Sequence, residues 1–438
     1  MYRKIGDFIK NNLKKTNNGI LCIYGARQIG KTYIINKIIA DIFNNCIEIN
    51  FDYDNKNEQL FKNVKSTDDF YIQLSAKYGR KIGNYDDTII FLDEIQIYPQ
   101  YFSLLKQFDL DRKYHFICSG SELGIKLKNQ EGISPMGSVI EKRMYPMDFE
   151  EYLIANGVGD DVFAYLRKNY EEKTTVNEAT HNYIMKLFYS YLYVGGLPEC
   201  VKIFIEDKNI SLIKDIQRQT YKYYCNDASK YDLENRLRIN RLYDMILSNM
   251  SNSVKRIQVS KINNNVRDTY SNYIDEFDYL INSGIALDNK AIAEPKFPLV
   301  QSSSKNLIKL YLNDVGILSE KLYRNNINAI IENKTGVNLG SLYETFVAQE
   351  LMSHDHNLFY YDRRSVGEVD FLVDDYNNLS VLPIEVKSGK EGYEYRALPK
   401  LLKEENYRIQ KGYILSNNRE TIVDEKIVKL PIYNVMFI

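Results

Sequence analysis

Between residues 20 and 145 short apolar runs alternate with stretches of helical spacing. ILCIYG (20–25), CIEINFDY (46–53), TIIFLDEI (88–95), YHFICSG (114–120) and VIEKRMY (139–145) predict five strands in a β-α alternation, the order of a parallel sheet. Runs such as IIFL have no polar alternation, which suits strands covered on both faces. Ahead of them MYRKIGDFIKNNLKK reads as an amphipathic helix; it lacks the uninterrupted apolar core of a secretory leader. From Pro146 to about Asp227 the periodicity is helical, broken by VGGLPE (194–199).

Residues 236–295 begin with a periodic helix, RLYDMILSNM, then VSKINNNV and DTYSNYIDEFDYLINSG, and close with the short extended pieces IALDN and KAIAE. That order predicts a winged helix-turn-helix. PKFPLVQSSSKN (295–306), with its prolines and serines, reads as a boundary loop. After it come a helix, GSLYETFVAQELMS (340–353), the strands NLFYYD, GEVDFLVD and LSVLPIEVKS, a helix around Glu394–Glu405, and strands near RIQKGYILS and KLPIYNVMFI. The expected division is an α/β core at 1–150, a helical lid or linker at 151–235, a winged-helix-like unit at 236–300 and a second α/β domain at 301–438. A chain of 438 residues is long enough for several cores.

Composition changes this picture little. Hydrophobic residues are 44% and charged residues 26%, a globular balance, and no apolar run approaches the roughly 18–20 residues of a membrane span. The five cysteines contain no CxxC pair, and Cys22 and Cys118 fall inside apolar runs as small buried hydrophobes. A reducing, cytoplasmic setting without membrane contact is therefore expected. Net charge is −1, so there is no global electrostatic footprint for nucleic acid. Locally, Arg236, Arg238, Arg241, Lys255, Arg256, Lys261 and Arg267 stand against one acid, Asp244, which makes 236–267 a candidate DNA-facing segment.

Gly25-Ala26-Arg27-Gln28-Ile29-Gly30-Lys31-Thr32 satisfies GxxxxGK[ST], with a strand before it and a helix after it. Gly25 and Gly30 let backbone N–H groups wrap phosphates at the helix N-terminus. Lys31 is expected on the β- and γ-phosphates, and the Thr32 hydroxyl on Mg²⁺. The run IIFL delivers Asp93 to a strand's carboxyl edge, where ligands bind in open α/β sheets. Asp93 is expected in the Mg²⁺ shell, with Glu94 polarising the attacking water. Ser121, with Ser119 as the alternative, ends another strand, where a hydroxyl can reach the γ-phosphate or the water. ATP and Mg²⁺ are the expected cofactors.

These residues, together with YPMDFEEYL (145–153), GGLPE (195–199), YLNDVGIL (311–318), LYETFVAQEL (342–351), EVDFLV and IEVKSG, resemble prokaryotic AAA-type ATPases. Those proteins carry a C-terminal domain of unknown function related to PD-(D/E)xK nucleases. The likeness spans almost the whole chain. It implies an α/β multidomain protein: an N-terminal P-loop AAA-type parallel sheet, a central helical and winged-helix region, and a C-terminal nuclease-like α/β domain. Many relatives have Gly-Arg where this chain has Gly137-Ser138, an arginine suited to sense the γ-phosphate; Arg143 or an arginine elsewhere is left as the substitute.

The second candidate site is Asp370, Glu385 and Lys387, with Glu344 on the preceding helix as a further carboxylate. On a strand, Glu385 and Lys387 share a face. In the nuclease pattern Asp370 and Glu385 hold Mg²⁺ and Lys387 orients the water. Three readings follow. The ATPase controls a DNA-facing winged helix and nuclease-like domain; or it is a slow ATP switch whose inactive C-terminal fold holds a protein partner; or it is an ATP-licensed DNA endonuclease. Each is compatible with oligomerisation.

Overall fold

In the computed structural model the first apolar run is β1 (Ile20–Tyr24), the second-from-edge strand of an all-parallel sheet ordered β2-β3-β4-β1-β5. Its partners in the sheet are β2 (Asn45–Asn50), β3 (Thr88–Asp93), β4 (His115–Gly120) and β5 (Val139–Arg143). The structure describes residues 1–15, 19–121, 137–231, 236–250, 256–262, 268–331, 339–388 and 395–438. They fall into two compact units: Met1–Tyr145 with Asn282–Gly284, and Pro146–Ile281 with Ile285–Ile438.

In the first unit α1 (Lys4–Leu13) packs on α2 (Lys31–Ile42). Every residue of β3 is buried, as its unbroken apolar run requires. Ile90, Leu92, Phe70, Leu105 and Phe116 belong to one core cluster. The second strand is shorter than its apolar run suggests. It stops at Asn50, whose side chain accepts from Tyr53 N–H and caps α3 (Phe51–Asn57), with Asp52 and Asp54 in the first turn. An Asx cap followed by acids starts a helix more strongly than FDY extends a strand. Helices α4 (Thr67–Tyr78) and α5 (Tyr101–Asp111) precede and follow β3 in the chain. Cys22 and Cys118 are buried as expected, but they are not separate: they are register partners on β1 and β4, Cα atoms 4.7 Å apart, joined as a disulfide.

The second unit opens with helices, as the periodicity predicts: α6 (Phe149–Ala155), α7 (Asp160–Glu172), α8 (Glu178–Val194), α9 (Pro198–Glu206) and α10 (Ile210–Tyr231). Next come α11 (Arg236–Met250) and α12 (Ile274–Asn282). The expected wing takes a different form. IALDN and KAIAE are one strand, β6 (Ala286–Ile292), antiparallel to β7 (Ser303–Leu312) and parallel to β8 (Leu358–Arg363). Both therefore extend an eight-stranded mixed sheet ordered β12-β13-β11-β10-β9-β8-β6-β7. Here β9 is Gly367–Asp375, β10 Ser380–Val386, β11 Gly412–Ser416, β12 Ile422–Asp424 and β13 Ile427–Pro431. The boundary expected at 300/301 falls between two strands that pair with each other. Apolar residues of β6 and β7 such as Leu287, Ile292, Leu310 and Leu312 are buried, and a free-standing wing would leave one face wet.

On this sheet pack α13 (Val315–Tyr323) and α14 (Gly340–Ser353), with α15 (Ala397–Leu402) against β9. The last apolar segment is only partly strand; Ile432–Phe437 turns as a 3-10 helix.

Candidate functional sites

The phosphate-loop residues lie where the sequence places them, between β1 and α2 at the sheet's carboxyl edge. Gly25 has φ 151°, and a Cβ there would lie 2.3 Å from Met144 O. Gly30 has φ 89° at the N-cap of α2. Both conformations are open to glycine and strained for other residues. Arg3 ties the loop from behind, donating to Ile29 O at 3.0 Å and Tyr145 O at 2.6 Å. Lys31 is buried, its Nζ donating to Gly25 O at 3.0 Å and Ala26 O at 2.8 Å.

Asp93 is the hub of the neighbouring polar cluster. Thr32 Oγ1 donates to its Oδ2 at 3.1 Å, Asn50 Nδ2 to the same oxygen at 2.9 Å, and Ser119 Oγ to Oδ1. Burial pushes the Asp93 carboxyl above the usual carboxylate range, against the pull of the Ser119 and Thr32 hydrogen bonds. Glu94 sits in the left-handed region, φ 56°, so its side chain leaves the strand direction. Its Oε2 accepts from Gln96 Nε2 at 2.5 Å and Ser121 Oγ at 3.4 Å. Ser119 and Ser121 thus divide the work: one holds Asp93, the other Glu94. Asn50, Gln96 and Arg3 were missed. Asn50 had a legible signal, a polar residue at the carboxyl end of a neighbouring strand; Gln96 and Arg3 had none.

Arg143 ends β5 in register with Tyr24, its guanidinium 5.3 Å from the Tyr145 ring centre. Ser138 lies at the opposite edge: its carbonyl accepts from Ile20 N–H where β1 begins. Within this chain position 138 stands at the sheet's amino edge, at the opposite end of β1 from the phosphate loop.

In the second unit the nuclease-pattern residues do gather. Asp370 Oδ2 accepts from Val386 N–H at 2.8 Å, across the antiparallel β9–β10 pair. Lys387 Nζ donates to Glu385 Oε1 at 2.7 Å, so the lysine lies beside the acids. Desolvation, then the charges of Glu385 and Glu344, push Asp370 well above the carboxylate range. Burial also raises Glu385, against the pull of Lys387.

The β6–β7 hairpin, of which only β6 was expected in a wing, adds to this cluster. Lys309 of β7, fully buried, donates to Glu368 of β9 at 2.5 Å and stands 4.4 Å from the Tyr360 ring centre. Tyr311 donates to Glu344 at 3.4 Å, and Asn289 Nδ2 to Asp370 O at 3.1 Å. Four carboxylates and two lysines share one neighbourhood. Yet among the described residues no three His, Cys, Asp or Glu side chains converge as a metal's ligand set. Lys387 occupies one oxygen of Glu385 and Val386 N–H one oxygen of Asp370, while Glu385 Oε2 is buried without a hydrogen-bond partner.

Of the four described basic side chains in the segment, three are engaged inside their own unit and Lys261 is exposed. Arg238 pairs with Glu276 at 3.2 Å and covers the Tyr273 ring, Arg241 donates to Ile262 O at 3.4 Å, and Arg256 pairs with Asp362 at 3.0 Å. Lys255 and Arg267 lie outside the described residues, and the Arg236 side chain is not described. No helix among the described residues is long and apolar enough to cross a membrane.

Comparison with known proteins agrees with the first site. Residues 17–153 match the family described as an AAA domain; 185–327 and 339–434 match domains of unknown function, DUF8612 and DUF4143. The uncharacterized protein MJ1544 of Methanocaldococcus jannaschii is 26% identical over 409 residues, covering 90% of this chain and 80% of that protein. Among solved structures, the Walker-type ATPase PABY2304 of Pyrococcus abyssi aligns over 72% of this chain and 93% of its own at 15% identity, TM-score 0.41. The ORC2 protein of Aeropyrum pernix aligns over 76% and 94% at 13% identity, TM-score 0.38. Residues 17–153 are thus similar to an AAA domain, and 185–327 and 339–434 are similar to domains of unknown function.

Proposed function

We propose that this protein is a Mg²⁺-dependent ATP hydrolase whose nucleotide state is read out through a C-terminal fold that holds a macromolecular partner without cutting it. The observation that carries the first half is the cluster at the sheet's carboxyl edge, where Thr32 and Asp93 meet at 3.1 Å beside the loop that presents Lys31. A hydroxyl and a carboxylate are hard oxygen donors, the set Mg²⁺ takes beside a nucleotide's phosphates. When bound, the ion would neutralise charge on the β- and γ-phosphate oxygens.

Lys31 would leave the carbonyls of Gly25 and Ala26 for the phosphates. Glu94 would accept a proton from water as the water oxygen bonds to the γ-phosphorus. The β,γ-bridging P–O bond breaks, and its electron pair leaves with ADP. Asn50 and Ser119 keep Asp93 oriented and ionised.

The second half rests on the ion pair Lys387–Glu385, which engages one nuclease-pattern acid, and on the neighbouring pair Lys309–Glu368. The endonuclease reading has the gathered acids and the adjacent Lys387 in its favour. DNA or protein remains the partner class to be separated by experiment.

Lys31→Ala should abolish ATP binding and turnover, and Glu94→Gln should bind ATP and fail to turn it over. Unchanged turnover in both removes the ATPase reading. Incubation of the full chain with supercoiled DNA, ATP and Mg²⁺ or Mn²⁺ should leave the DNA intact. Nicking that disappears in Glu385→Ala would establish the endonuclease instead. Turnover that rises with added DNA would name DNA as the partner.

A further inference from the structure

Arg27 stands third in the Gly25–Thr32 loop and reaches the ends of two other strands. Its Nη2 lies 3.9 Å from Glu94 Oε2, and its Nε donates to Ser121 Oγ at 3.3 Å. Both partners of the ion pair are four-fifths buried, at 20% and 19% side-chain exposure. Glu94 is thereby held from three directions, by Arg27, Gln96 and Ser121, in a left-handed backbone conformation that a glutamate rarely adopts. The carboxylate needed to activate water is engaged in a network that includes the phosphate loop itself.

Geometry sets what a nucleotide would do to that network. The loop's N–H groups and Lys31 receive the β-phosphate, and a third phosphate extends from there toward the edge carrying Asp93, Glu94 and Ser121. Arg27 is therefore the loop's own guanidinium on the γ-phosphate side. An arginine keeps its charge, and its planar fork suits phosphate oxygens as well as carboxylates. A γ-phosphate offers it more negative charge than Glu94 does; a diphosphate offers none at that place.

We propose that Arg27 is a γ-phosphate-sensing latch, acting within one chain. Without triphosphate it holds Glu94. With triphosphate it transfers to the γ-phosphate oxygens, frees Glu94 to take the water's proton, and stabilises the charge carried by the transferring group. This inference rests on the ATPase reading above and assigns to that site its discrimination of ATP from ADP. It also supplies the arginine that Ser138, at the far edge of the sheet, does not.

The experiment is a set of equilibrium ATP and ADP titrations and turnover measurements on the wild-type chain, Arg27→Ala, Arg27→Lys, Glu94→Gln and the double variant Arg27→Ala/Glu94→Gln, with Lys31→Ala as the control. Arg27→Ala should weaken ATP binding about tenfold, leave ADP binding within about twofold, and lower kcat about a hundredfold, the scale of losing one charged contact to the transition state. Arg27→Lys should recover most of the ATP preference, since charge is kept, and little of kcat, since the fork is lost. Glu94→Gln should tighten ATP, because the latch no longer has its carboxylate. That gain should vanish in the double variant, a coupling that a merely structural arginine would not produce.

Equal loss of ATP and ADP affinity in Arg27→Ala would mean the loop has collapsed and would overturn the proposal. So would an unchanged ATP/ADP ratio, or tightening by Glu94→Gln that survives removal of Arg27. If Lys31→Ala also leaves nucleotide binding intact, the ATPase reading itself fails. If Lys31→Ala abolishes binding while Arg27→Ala changes nothing, only the latch fails.

Discussion

Lys309 on β7 donates to Glu368 on β9 at 2.5 Å, and the ammonium has no exposed surface. The pair joins a hairpin within the 185–327 family segment to a strand of the 339–434 segment. It places a second cation, besides Lys387, inside a neighbourhood that holds Glu344, Asp370 and Glu385. Burial lowers the Lys309 ammonium, but Glu368, Glu344 and Asp370 together outweigh it and raise it above the ordinary lysine value.

Lys309→Met should therefore destabilise the second unit by about 2 kcal/mol. The loss falls short of the roughly 3–5 kcal/mol of a fully buried broken pair because Glu368 keeps about a third of its side chain in water. Because the native lysine's pKa is raised, its contribution is fully present through neutral pH and fades only as pH rises through that value. In the variant the carboxylates keep only Lys387 as a neighbouring cation, so stability should fall further between about pH 5 and pH 8 than in the wild type. Urea unfolding at the two pH values measures this; an identical loss at both would mean Lys309 acts by packing alone.

Asp314 offers a pH signature of its own. It is buried, accepts from Gly196 N–H at 2.6 Å and Ile317 N–H at 3.0 Å, and burial pushes its pKa up to about 6. A raised carboxyl pKa gives stability that is present below about pH 4 and lost as pH rises through about 6. A rise from the ordinary 3.8 to about 6 is worth about 3 kcal/mol between the two protonation states. Unfolding free energy should decline by that amount across the window, with Asp314→Asn flattening the slope whatever its absolute stability. A slope retained in Asp314→Asn would assign it to other groups.

Ser119 should tune the acid limb of ATP turnover. Its hydrogen bond favours the ionised form of Asp93, which burial otherwise disfavours. Ser119→Ala should move the acid limb of kcat/KM to higher pH and reduce turnover along that limb roughly tenfold, the scale of one hydrogen bond to a charge. At about pH 8 the difference should shrink. A uniform reduction at every pH would instead point to displacement of Asp93.

Arg256 separates packing from DNA contact. It pairs with Asp362 at 3.0 Å, both side chains partly buried. Arg256→Glu should cost about 1 kcal/mol in unfolding free energy, restored by the charge swap Arg256→Glu/Asp362→Arg. A phosphate contact would behave otherwise: DNA affinity would fall with no change in stability, the log–log salt slope would decrease by about 0.9, and the swap would not restore it.

The candidate nucleotide site was legible in the sequence because its parts are local. A strand, a glycine-bounded turn and a helix need no distant residue to define Gly25, Lys31 and Thr32, and an apolar run ending in Asp93-Glu94 marks its own carboxyl edge. Helices α1 and α14 and strands β1, β3, β8 and β9 follow from periodicity for the same reason. The residues that complete each site depended on tertiary structure. Asn50, Gln96 and Arg27 meet Asp93, Glu94 and Ser121 only because parallel strands far apart in sequence end at one edge. The β6–β7 hairpin has the same apolar alternation in a wing or in a sheet, and pairing with β8 decides between them. That pairing carries Lys309 to Glu368, 59 residues further along the chain. Period and propensity act over a few residues; ion pairs between strands are set by which strands become neighbours, and that is a property of the whole packed sheet.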